Sequence, residues 1–94
     1  MTEIRKLLPR RDGEPGVWEV SQDGQVIGTI HERRLPHARN AFYQATGVHP
    51  VTGQRVNLEL STDFDDRVRV IEQLQDDPES LRRHWSWSTR TNEA

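Results

Sequence analysis

The sequence predicts an α+β domain: a four-stranded antiparallel meander sheet, built as two hairpins, followed by a C-terminal helix packed on one face and a second short helix. Three observations predict it. In Arg55–Ser61, Val56, Leu58 and Leu60 alternate with Asn57 and Glu59, the period of a strand with one buried face. Phe64, Val68, Ile71 and Leu74 then recur at helical spacing, an apolar stripe that needs that buried face. Upstream, Asp23-Gly24 separates two β-rich runs and supplies the positive φ angles that a two-residue hairpin turn requires.

Residues 1–16 read as a flexible N-terminal arm, because Pro9, Gly13, Pro15 and Gly16 break regular structure; Ile4, Leu7 and Leu8 could make one docking turn. Residues 17–87 read as the single α+β domain. Its first hairpin is Val17–Ser21 and Val26–Ile30, with Val20 expected opposite Ile27 and Trp18 opposite Thr29. Gly28 is expected at a bulge or a close backbone approach. Residues 31–40 form an irregular connection, ended by Pro36 and anchored by Leu35. The third strand is Ala41–Val48, and the turn from His49 to Gln54 closes on Gly53 in the left-handed region before the fourth strand. The main helix is expected from Asp63 to Gln75, with Thr62 as N-cap and Asp63, Asp65 and Asp66 complementing the helix dipole. Asp77 and Pro78 start the second helix, in which Leu81 and Trp85 lie four apart on one side. Residues 88–94 read as a disordered tail.

The chain has 94 residues, of which 32% are apolar and 30% charged, enough for one sheet-on-helix core and too little for a cleft between lobes. Without cysteine there are no disulfides, thiolate metal sites or cysteine nucleophiles, which fits a reducing cytoplasm. No apolar run has the length of a signal peptide or a membrane span. The net charge is −2, but residues 1–60 carry eight basic against seven acidic side chains, and residues 61–94 five against eight. Any basic surface therefore comes from the first two thirds. Twelve of the thirteen basic residues are Arg, which suits phosphate recognition, although a GC-rich genome also enriches Arg.

No catalytic residue, metal ligand or cofactor is expected. His31, His37, His49 and His84 lack metal-ligand spacing. The acidic groups at 63–66 and 76–77 are explained by capping, and no nucleophile elbow, P-loop or dinucleotide fingerprint occurs. Two binding readings remain. A protein-interaction module, self-associating or capturing a protein partner, is the leading one, with Trp87 as its interface residue beside an uncovered sheet face. The alternative is a nucleic-acid-binding accessory protein using an Arg/Tyr-bearing sheet face, with Arg33, Arg34 and Arg39 in the loop entering the third strand, close in sequence to Tyr43, and Arg5, Lys6, Arg10 and Arg11 on the arm. Over roughly residues 17–75 the strand-strand-strand-helix layout resembles the small arm-type DNA-binding domains found on some recombinases. That likeness of layout implies a sheet that meets DNA.

Overall fold

A computed structural model describes residues 2–7, 14–34, 36–37 and 39–87. It contains β1 (Thr2–Leu7), β2 (Val17–Gln22), β3 (Gln25–Arg33), β4 (Phe42–Val48), β5 (Arg55–Ser61), the helix α1 (Phe64–Asp76), a 3-10 helix (Pro78–His84) and β6 (Trp85–Trp87). The strands form one antiparallel sheet in the order β1-β2-β3-β4-β5-β6. The α+β class and the meander hold, but the expected four strands are six: five full strands and a three-residue edge strand. One addition comes from the expected arm, where Thr2–Leu7 pair with Val17–Gln22. The other comes from the expected second helix. Its first part is a 3-10 turn, and Trp85–Trp87 pair with Val56–Leu58 as a strand. The expected tail, 88–94, and residues 8–13 lie outside the described residues.

The Asp23-Gly24 turn has positive φ at both positions, 51° and 81°, and Gly53 closes the next turn at φ 74°. The cap of α1 is Asp63 rather than Thr62: its carboxylate accepts the Asp66 N–H at 3.2 Å, while Ser61 Oγ accepts the Asp63 N–H. Asp reaches the third helical N–H as well as Thr does, so the local pattern fits either residue.

Register explains how the helix reaches the sheet. Ile4, Val20, Gly28, Gly47 and Val56 stand opposite one another across five strands. The two central glycines leave a seat there. A Cβ on Gly28 would lie 2.8 Å from Ile71 Cγ2, and one on Gly47 would lie 2.3 Å from Leu74 Cδ2. Around that seat Val20, Ile27, Ile30, Ala45, Leu58 and Ile71 form one buried cluster, and Val56, Leu74 and Leu81 a second. Trp18, Tyr43 and Phe64 close the helix's N-terminal end in edge-to-face contacts, with centroids 4.9 to 5.9 Å apart.

Two irregularities change the expected side-chain parity. Between β2 and β3, Val20 pairs with Gly28 and Ser21 with Val26, so Ile27 is an extra residue. Hence Trp18 faces Ile30, not Thr29, and Val20 faces Gly28, not Ile27. Between β4 and β5, Gln44 pairs with Leu60 but Thr46 with Asn57. The second bulge turns Leu60 away from the helix, 45% exposed, where strict alternation had placed it in the core. Side chains satisfy the carbonyls at that bulge: Gln44 Nε2 donates to Leu58 O, and Arg67 Nη1 donates to Glu59 O. Arg67, buried at 6% exposure, also donates to Asp66 Oδ2 at 2.6 Å, while its Nε is buried without a partner among the described residues.

Candidate functional site

With α1 on one face, the other face of the sheet is polar and, among the described residues, carries no helix. Strand alternation puts Arg5, Glu19, Thr29, Thr46 and Asn57 in a single row across β1 to β5. The next row carries Val17, His31, Gln44 and Leu60, and beyond it Arg33 pairs with Phe42. At the opposite end of the face, Arg55 pairs with Val48. Val17, Thr29, His31, Gln44, Thr46 and Asn57 from these rows floor a concavity of about 590 Å³. Thr29, Gln44, Thr46 and Asn57 supply hydroxyl and amide groups to it, and Arg33 and Arg55 line it from its two ends.

One wall is a strap formed by Glu14, Pro15 and Gly16, which leads into β2. Glu32 holds it from both sides of the peptide. Its backbone N–H donates to Gly16 O, and its carboxylate accepts the Gly16 N–H, both at 2.8 Å. Gly16 is required here, because a Cβ would fall 2.5 Å from the Trp18 ring. The Gly16 N–H holds the Glu32 carboxyl below its ordinary pKa; burial opposes this, and the Arg34 guanidinium, 3.4 Å away, adds to the lowering.

The four residues expected at a nucleic-acid surface lie in different settings. Arg33 is exposed on the open face. Arg34 is exposed but paired with Glu32, and Arg39 is exposed in the connection between β3 and β4. Tyr43 is on the helix face, packed on Trp18 and Phe64, so it offers no stacking surface beside Arg33. The aromatic on the Arg33 face is its cross-strand neighbour, Phe42. The basic arm also divides. Arg5 pairs with Glu19 at 3.3 Å on the open face, Lys6 lies over Trp18 at 5.4 Å, and Arg10 and Arg11 are outside the described residues. Trp87 stands in β6 opposite Val56.

Arg55, Thr29, Thr46, Asn57 and Phe42 were missed. The signal was present in alternation, since Arg55 and Asn57 flank the buried Val56, and Thr29 and His31 flank the buried Ile30. Residues on that parity must leave the core on the side away from α1.

Acidic side chains lie on both sides of the sheet, Glu14 and Glu32 among the lining of the concavity. Residues 63–77, on the helix side, hold six acidic side chains and two arginines. The large exposed apolar side chains, Ile4, Val26, Val51 and Leu60, are scattered over separate elements instead of forming a patch. The concavity thus presents two guanidinium groups, two carboxylates and several hydroxyl and amide groups. No helix among the described residues is long and apolar enough to cross a membrane. Comparison with protein-family models, with curated proteins and with solved structures finds no match to this chain.

Proposed function

We propose that this chain is a non-catalytic nucleic-acid-binding accessory module that works through its open sheet face. One observation carries the reading: Arg33 and Arg55 line the two ends of a concavity floored by hydrogen-bonding side chains, on the side away from the acidic helix. A net charge of −2 argues weakly against such a role; six of the fifteen acidic side chains lie in residues 63–77 behind the sheet, while Glu14 and Glu32 line the concavity, Glu32 being tied to Gly16 and Arg34. Bound phosphates would release counterions, so affinity must fall steeply as salt rises. Titration of single-stranded and duplex oligonucleotides across a salt series tests this. Arg33→Ala and Arg55→Ala should each weaken binding of all sequences and reduce the salt slope by about one. Absence of binding at about 50 µM protein and low ionic strength, a condition that favours even non-specific contacts, would overturn the proposal.

A protein partner or a second copy of the chain is the second reading, and the C-terminal edge of the sheet favours it. There β6 covers only Val56–Leu58, so β5 continues to Ser61 beyond its partner, and an added strand could pair with it. Both edge-strand tryptophans, Trp85 and Trp87, belong to that segment.

A further inference from the structure

We propose that the open face takes a single strand of nucleic acid in preference to a duplex. This inference rests on the nucleic-acid reading above and narrows it. Three features of the face carry it.

The first is shape. Duplex DNA is read by an element that projects into a groove about 12 Å wide. This face is hollow, and the strap at 14–16 stands along its side. Its volume, about 590 Å³, is that of a site for a small organic ligand, into which separate bases fit and a double helix does not.

The second is the pairing of Phe42 with Arg33. Cross-strand neighbours have Cβ atoms about 5 Å apart, so a base laid on the Phe42 ring brings its phosphate to the Arg33 guanidinium. Leu60, exposed on the same face opposite Gln44, lies diagonally from the half-buried Phe42; the two apolar side chains flank the concavity at its Arg33 end and are not part of its lining. Stacking of this kind serves a base whose ring is free, which a duplex base is not.

The third is span. Arg33 and Arg55 pair with residues six positions apart on β4, about 20 Å at 3.3 Å per residue. That distance corresponds to about six stacked nucleotides at 3.4 Å each, within the site size of known single-strand platforms. Between the two arginines, Thr46 and Asn57 are placed to meet base edges.

The test is a fluorescence-anisotropy titration at low salt, using a mixed-sequence single strand of about 12 nucleotides and a blunt duplex of the same sequence. The single strand should bind at least about tenfold tighter than the duplex. Phe42→Ala should cost at least about fivefold on the single strand and leave the duplex unchanged, while Phe42→Trp retains single-strand affinity. Tyr43→Phe should change neither, because that ring faces the helix. Circular dichroism melting of each variant separates loss of a contact from loss of the fold. Equal or tighter duplex binding, or an equal effect of Phe42→Ala on both probes, overturns the single-strand inference and leaves the nucleic-acid reading standing. Failure of both probes to bind removes both.

Discussion

Adding one methyl group to the helix seat offers the sharpest test of the fold. A Cβ on Gly47 would sit 2.3 Å from Leu74 Cδ2, and its next contacts are at 3.7 Å. Ordinary carbon contacts lie near 3.5–4.0 Å, so the Leu74 tip must move by more than about 1 Å. Leu74 is fully buried and packed with Val56 and Leu81, so it has nowhere open to turn. Overpacking of this kind costs about 1–3 kcal/mol, from which about 0.4–1 kcal/mol is recovered by replacing glycine at a φ that alanine accepts. Gly47→Ala should therefore destabilise by about 1–2 kcal/mol. Leu74→Ala alone should cost about 2–5 kcal/mol through the cavity it leaves.

The double variant decides the matter. With Leu74 shortened, the new methyl group enters vacated space, and the combined loss should fall short of the sum by about 1–3 kcal/mol. Urea unfolding at constant m measures all three variants. Additivity within about 0.5 kcal/mol would refute the contact and, with it, the seating of α1 on the glycines. Gly28→Ala is the contrasting case. Its Cβ would meet the Thr46 carbonyl oxygen at 2.6 Å as well as Ile71, and a backbone atom cannot swing aside. Most of that cost should persist when Ile71 is also shortened to alanine.

Glu32 should impose an acid limb on stability. Its folded pKa is lowered, chiefly by the Gly16 N–H, so its contribution is full above the unfolded carboxylate value and lost as pH falls through the folded one; Glu32→Gln should flatten that limb, and an unchanged pH profile of unfolding would refute the strap contact. If the β5–β6 edge is an interface, sedimentation equilibrium should show concentration-dependent association that Trp87→Ala weakens, and a strict monomer at high micromolar concentration would remove the second-copy reading.

What could be read from the sequence followed the strength of local chemistry. The β5–α1 junction was legible because two periods meet at an Asp-rich cap, and the β2–β3 turn because Asp-Gly has few alternatives. β1 was not. Its residues Thr2–Leu7 alternate weakly, with one large apolar side chain, Ile4, on the helix parity, as suits an edge strand guarded by charge. β6 was hidden for the opposite reason. Trp-Ser-Trp alternates like a strand, but the four-residue interval from Leu81 to Trp85 also fits a helix, and only pairing with Val56–Leu58 decides between them.

The candidate site depended on parity, which propensity does not encode. In Phe42-Tyr43-Gln44-Ala45 either aromatic could face the core. The choice is made with the neighbouring strand: Gly28 must oppose Gly47 for α1 to seat, which puts Gly47, Ala45 and Tyr43 on the helix side. Phe42 is then left beside Arg33. The bulge after Leu58 does the same for Leu60, moving an apolar side chain onto the open face next to that pair. A one-residue change in parity therefore replaces a tyrosine already held by Trp18 and Phe64 with a half-buried phenylalanine on the open-face side of β4. This is why substitution at position 42, and not at position 43, bears on binding at this face.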